Sequence, residues 1–317
     1  MTVLVWGVPT EPPTAMVTRE LAELDADVVV LHPRAAAAQQ VHVVIGQAAG
    51  SPDLSGTLRT DRRCVDLSAV VGAYLRPVEP GLVPELAGQP ETAPELTHAR
   101  RVHDALIGFT EVAPCLTGCR VANRVSAMAS NTSKPFQAQA VVRHGFATPE
   151  TLVSDDPDEV LDFVDRHRDV VYKSCSGIRS VVTAFDPAAD SERLNRLRWC
   201  PVQFQERVQG PDVRVHVVGD EVYAAIVHTT AIDYRYARAQ VGADARLQGY
   251  RLDDELAGRC LALASDLDLP FAGIDLKLAL DGRVVCFEVN PSPGFSWFES
   301  ETGLPIAHAV ARWLLGG

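Results

Sequence analysis

Lysine is the scarcest charged residue in this chain of 317. Of 29 basic side chains, 26 are Arg and three are Lys, at positions 134, 173 and 277. An ammonium fits where a planar guanidinium fork does not, so a chain that spends Arg on generic positive charge marks the places where Lys is kept. Basic charge is itself in deficit, 29 against 41 acidic residues for a net −12, which excludes a nucleic-acid binder that relies on a basic surface. No stretch approaches the ~20 predominantly apolar residues of a membrane-spanning helix. The first residues carry no basic n-region, so the expectation is a cytoplasmic protein without membrane contact. The seven Cys are odd in number and scattered. Cys115 and Cys119, the nearest pair, have no further Cys or His at a zinc-like spacing, and all seven are expected to be reduced thiols. No Gly-x-Gly-x-x-Gly follows the first apolar run, so a dinucleotide fingerprint is absent.

What is present is the patterning of an α/β chain in three parts: residues 1–118, 119–200 and 201–317. Apolar spacing in the first part predicts strands over 3–8, 28–31 and 41–45, helices over 14–25 and 95–112, and a loop over 48–60. A small hairpin is expected around Asp61-Arg62-Arg63. The second part opens with a strand at 119–123. Ser133 and Pro135 then start a helix that Gly145 ends. A helix over 155–166, with Asp155 or Asp156 as cap, precedes a strand over 170–173 and a loop of small residues over 174–180. The third part reads as strands over 202–208, 213–218, 222–227, 274–280 and 283–289, with helices over 256–267 and 304–315.

The last hairpin carries the chemistry. Asp281-Gly282 between alternating apolar runs signals a two-residue turn. Paired positions then sum to 563, which sets Asp275 opposite Glu288 and Lys277 opposite Cys286, with Asn290 on the face of Glu288. Ile274, Leu276, Leu278, Val285, Phe287 and Val289 form the opposite, core face. Two facing carboxylates repel unless a cation lies between them. An oxygen-only set of two carboxylates and an amide suits Mg²⁺. Lys277 on that face either offsets the carboxylates or meets a phosphate. The Gly219-Asp220 turn repeats the logic. It places Asp212, Arg214 and His216 on one face and Val213, Val215 and Val217 on the core face, with Arg214 beside the small Ala225. A guanidinium so placed suits a transferring phosphoryl group, and an ion pair with Asp212 is the plainer reading.

In that order the residues resemble the ATP-grasp ligases, in the branch of ribosomal-protein glutamate ligase. Lys134 precedes a helix ending His-Gly145, and Lys173 precedes a small loop. Gln205-Glu-Arg-Val-Gln-Gly-Pro-Asp212 follows, and the series closes on Gly-Ile-Asp275 and Phe-Glu288-Val-Asn290-Pro. Two further stretches, Tyr223 to Arg235 and Pro293 to Pro305, resemble the graspetide-type enzymes that form side-chain ester or amide crosslinks in ribosomally made peptides. The resemblance implies an ATP-grasp fold with a Rossmann-like N-terminal domain and ATP held between two α+β lobes. It implies that Lys134 and Lys173 contact ATP phosphates, that Ser176 and Gly177 lie in the loop over them, and that the backbone of Gln205, Glu206, Arg207 and Val208 meets adenine. It implies that Asp212 holds the ribose, that Asp275, Glu288 and Asn290 ligate Mg²⁺, and that Arg214 and Arg235 act at the reacting centre.

The expected activity is an ATP- and Mg²⁺-dependent ligase. A carboxylate is activated as an acyl phosphate and joined to an amine or hydroxyl of a peptide or amino-acid substrate, with the loop over 174–180 as lid. The alternatives are a small-molecule amino-acid or dipeptide ligase, or phosphoryl transfer without ligation. Dimers and tetramers occur in the resembling family and are admitted here.

Overall fold

The computed structural model describes residues 1–48, 51–175 and 181–317. These residues form a mixed α/β molecule and, among them, four sheets. Strands Thr2–Trp6, Asp27–Leu31, Val70–Leu75 and Arg120–Ala122 form a parallel sheet with Thr2–Trp6 and Val70–Leu75 at its centre. Their near-continuous apolar runs are what a sheet covered on both faces requires. Helix Pro94–Leu116 packs one face through Val102, Leu106 and Phe109. The other face is covered by Pro12–Glu23 and the final helix Ile306–Leu315, whose Val310 and Leu314 meet Val3, Val17 and Leu21. The last helix therefore packs against the sheet that the first strand opens, and Gly72 leaves room for it: a Cβ there would lie 2.5 Å from the Leu314 carbonyl oxygen.

The loop expected over 48–60 is instead largely strand. Ser51–Arg59 pairs antiparallel with Gln40–Ala48, and Leu54 and Leu58 alternate into the core. The period-two burial of these leucines outweighs the turn-forming bias of Ser, Gly and Pro. The small hairpin forms as expected, with Leu58 opposite Val65.

A second sheet, in the order Thr183–Ala184, Val170–Ser174, Val202–Glu206, Thr151–Ser154, is antiparallel among its described pairs. Helix Pro157–His167 covers it through Val160 and Phe163. Asp156 is its cap, accepting from the Asp158 N–H at 2.9 Å. The third sheet runs Arg246–Tyr250, Glu221–His228, Asp212–Val218, Phe271–Leu278, Val284–Asn290. One face packs Val213, Val215, Ile274 and Leu276 on helix Asp254–Asp266 and on Ala140 and Val141 of helix Lys134–Arg143. The opposite face is polar and opens into a cleft. The final helix expected over 304–315 is preceded by a separate one, Ser296–Thr302, closed by Gly303 in the left-handed region. Among the described residues no helix is long and apolar enough to cross a membrane.

Candidate active site

The turn at 219–220 has the expected register, with Val218 opposite Glu221 and Arg214 opposite Ala225. The turn at 281–282 does not. Ala279 N–H donates to the Arg283 carbonyl at 2.9 Å and Gly282 has φ +90°, so the loop is three residues long and Leu278 pairs with Val284, a sum of 562. A bulge beyond Leu276 adds one residue on the returning strand and restores 563, so Asp275 does face Glu288. Between turn and bulge the faces change. Lys277 lies opposite Val285, and Cys286 joins Leu276 in the core. Phe287, expected in the core, turns to line the cleft.

The cleft encloses about 1370 Å³. Its floor is a checkerboard of charge on two adjacent strands, with Asp212 paired in register with Lys277 and Arg214 with Asp275. Arg214 Nη1 donates to Asp275 Oδ1 at 2.7 Å, and Lys277 Nζ lies 3.0 Å from Asp212 Oδ1. Arg214 is buried, 6% exposed. Burial acts to lower its pKa, but Asp275 overrides it and the guanidinium stays charged. Asp212 has its pKa raised, burial acting most strongly against the pull of Lys277. Arg214 lies over Gly273, where a Cβ would sit 2.2 Å from Nη2, so no larger residue fits beneath it.

Asp275, Glu288 and Asn290 converge on the cleft, and the Asn290 Nδ2 donates to Asp275 Oδ2 at 3.0 Å. That bond leaves the amide oxygen as the Asn290 donor atom for a metal. The set is all oxygen and carries two negative charges, which fits Mg²⁺. The backbone of this stretch is held from both sides. Gln137 exchanges two hydrogen bonds with Val289, and Asn123 donates to the Pro291 carbonyl at 2.5 Å.

Across the cleft, Lys173 lines the wall from the strand Val170–Ser174. Gln205, Glu206, Arg207 and Val208 run along the connecting edge. Gln205 Nε2 donates to Thr151 Oγ1 at 2.9 Å, and the Glu206 carboxylate accepts from Arg283 Nη1 at 2.8 Å. Burial would raise the Glu206 pKa, but the Arg283 and Glu150 hydrogen bonds leave it lowered. Lys134 is the first residue of helix Lys134–Arg143, capped by Ser133. Ser176 and Gly177, with most of the expected lid, lie outside the described residues.

Arg235 reaches the cleft beside Tyr234, its guanidinium held by Asp233 at 2.9 Å (Nε to Oδ1) and 2.7 Å (Nη2 to Oδ2). Tyr234 stacks on Trp297, ring centroids 6.2 Å apart, and its hydroxyl is 3.5 Å from Asp275 Oδ1. Burial, reinforced by Asp275, pushes the Tyr234 phenol well above its usual range. Sequence reasoning did not single out Tyr234, Trp297, Gln137 or Asn123, and it assigned Phe287 to the core rather than the cleft. The three aromatic residues lie within stretches that carried the resemblance, whereas nothing in the spacing marks the two amides.

A family described as RimK-like ATP-grasp domain matches residues 131–314. A ribosomal protein bS6–L-glutamate ligase from Shigella flexneri is 29% identical over 202 residues, 61% of this chain and 66% of that ligase. The chain thus spans just under two-thirds of the length of the curated relatives it matches. Among solved structures, macrocyclase MdnC bound with precursor peptide MdnA, from Microcystis aeruginosa, superposes with a TM-score of 0.75 at 20% identity, with 100% of both chains covered. The ATP-grasp ligase PsnB, complexed with minimal precursor, Mg and ADP, gives a TM-score of 0.76 at 26% identity over 99% of this chain and 96% of its own.

Proposed function

The chain belongs to the RimK-like ATP-grasp family, and on that premise we propose that it is an ATP- and Mg²⁺-dependent ligase that joins a carboxylate to an amine or hydroxyl of a peptide. The observation that carries the reading is one cleft wall on which an oxygen-only donor set is paired with a buried guanidinium, Arg214 on Asp275. The peptide substrate is supported by relatives named for a ribosomal protein and for precursor peptides. The site's own contribution is an aromatic and cationic corner, Tyr234, Trp297 and Arg235, beside Asp275.

In this reading the γ-phosphoryl group passes to a substrate carboxylate oxygen and ADP departs. The amine or hydroxyl then attacks the acyl carbon, loses its proton, and phosphate leaves as the new C–N or C–O bond forms. Bound Mg²⁺ supplies charge neutralisation to the phosphates. Asp275, Glu288 and Asn290 hold it, Lys134 and Lys173 meet the phosphates, and Asp212 takes the ribose. The backbone of Gln205, Glu206, Arg207 and Val208 meets adenine. Ser176 and Gly177 belong to the loop that covers the phosphates. Arg214 is fixed by Asp275 before substrate arrives, so it stabilises charge on the transferring group without reorganising. Arg235, oriented by Asp233, is the group that draws the acceptor carboxylate. The reaction is placed in the cytoplasm, where ATP and Mg²⁺ are supplied together.

The test is to supply ATP, Mg²⁺ and acidic peptides and to follow ADP, free phosphate and peptide mass. Ligation releases both ADP and phosphate, with one water lost per bond formed. A stable phosphopeptide without free phosphate overturns ligation in favour of phosphoryl transfer. Unchanged turnover in Glu288→Ala or Asn290→Ala overturns the metal assignment.

A further inference from the structure

The strand Val284–Asn290 is the outer strand of its sheet, and among the described residues its far edge has no strand neighbour. Edges of this kind leave N–H and C=O groups in need of partners. Two groups supply them. Ala147 takes the edge at Val284 and Cys286, with bonds of 2.9 Å in each direction. At Val289 the partner is a side chain: Gln137 Nε2 donates to the Val289 carbonyl at 2.8 Å, and the Val289 N–H donates to Gln137 Oε1 at 2.9 Å. The carboxamide thus acts as a one-residue strand. It is buried, 2% exposed, and both of its hydrogen-bonding functions are spent on this one residue.

Val289 lies between Glu288 and Asn290, whose side chains face the cleft while its own side chain enters the core. Gln137 stands one turn into the helix Lys134–Arg143. We infer that Gln137 is a positioning residue for the metal: it fixes the backbone from which Glu288 and Asn290 project, and it ties that backbone to the helix that begins at Lys134. This rests on the reading of Asp275, Glu288 and Asn290 as the metal face. A ligand pair separated by one residue shares a single backbone orientation, so a rotation at Val289 moves both donors at once. Asn123, which binds the Pro291 carbonyl, also binds both backbone groups of Phe271, where the neighbouring strand begins. Its loss would disturb two strands, so Gln137 is the cleaner probe.

Two variants separate the roles. Gln137→Met keeps chain length and removes both bonds. Gln137→Glu keeps the acceptor for the Val289 N–H and removes the donor. Full-length protein is titrated with Mn²⁺ in the presence of ADP and free Mn²⁺ is read by electron paramagnetic resonance. ADP binding in EDTA and metal-free thermal melting are measured alongside. Loss of a group that orients metal ligands raises the metal half-saturation roughly 10–100-fold. The expected result is a rise of that order in Gln137→Met, a smaller rise in Gln137→Glu, and ADP binding in EDTA equal to the parent's. Equal Mn²⁺ half-saturation in parent and variants overturns the inference and leaves the metal face standing. A parent that holds no Mn²⁺ overturns the metal face itself. A matching loss of metal-free ADP binding, or failure of both variants to fold, makes Gln137 a general structural residue and likewise overturns the inference.

Discussion

Lys277 grips both carboxylate oxygens of Asp212, 3.0 Å from Oδ1 and 3.1 Å from Oδ2, across adjacent strands of the cleft floor. The third of the three lysines is thereby engaged with the carboxylate proposed to hold the ribose. Burial raises the Asp212 pKa, and Lys277 is the cation that opposes it. Removing one member of a buried pair strands the other. Lys277→Met is expected to destabilise the protein toward the lower end of the roughly 3–5 kcal/mol typical of such pairs, because both side chains keep some contact with the cleft. The double variant Lys277→Met with Asp212→Asn should recover most of that stability in denaturant unfolding while its KM for ATP stays high. An unchanged unfolding midpoint in Lys277→Met would show that the pair does not matter to the fold.

The facing of Asp275 and Glu288 was legible in the sequence, but through two departures that cancel. The turn is one residue longer than Asp281-Gly282 implies, and the bulge adds one residue back. A local turn signal cannot see a bulge, because the extra residue is accommodated by packing on both faces of the sheet. Asp212 and Arg214, on a hairpin without a bulge, came out in register directly. The strand Ser51–Arg59 and the helix Ser296–Thr302 were hidden by Ser, Gly and Pro, whose preference for turns tertiary pairing outweighed. Gln137 and Asn123 were illegible for a different reason. Their partners lie 152 and 148 or 168 positions away, on main-chain atoms that carry no residue identity.

The bulge makes its own prediction, because it delivers Phe287 to the cleft beside Glu288. In the proposed ATP complex its ring would offer an apolar face to the nucleotide. Phe287→Ala should raise the KM for ATP by about tenfold, equivalent to ~1.4 kcal/mol of lost contact, and leave the Mg²⁺ dependence in place. Steady-state ADP release at varied ATP checks it. An unchanged KM together with lost stability would return Phe287 to a packing role.

Arg214 depends on the absence of a side chain at Gly273. A Cβ there would lie 2.2 Å from Nη2 and 2.7 Å from Pro293 Cβ. Gly273→Ala should therefore displace the guanidinium from Asp275. Preorganised charge stabilisers are worth about 10²–10³ in kcat, and a loss of that order is expected with overpacking of roughly 1–3 kcal/mol. Turnover with saturating ATP and peptide, beside a melting curve, separates the two effects. Near-parental kcat in Gly273→Ala would mean that Arg214 is not required where it now sits.

His216 gives the same site a pH signature. It is fully buried, its Nε2 accepts from Arg214 Nε at 3.4 Å, and its ring lies 5.2 Å from Phe298. Burial first, and the Arg214 charge second, hold its pKa well below the ordinary value near 6.5. The native protein keeps the imidazole neutral while the unfolded chain protonates it, so below about pH 6.5 the unfolded state binds one more proton. The corresponding stability is complete above that pH and is lost as pH falls, by up to ~1.4 kcal/mol per unit. Protonation would also remove the acceptor that faces Arg214 and set two like charges together. His216→Gln has nothing to protonate at this position. Between pH 7 and pH 5 its melting temperature should fall less steeply than the parent's, whatever its starting stability. Parallel curves for the two proteins would place the acid sensitivity of the fold in groups other than His216.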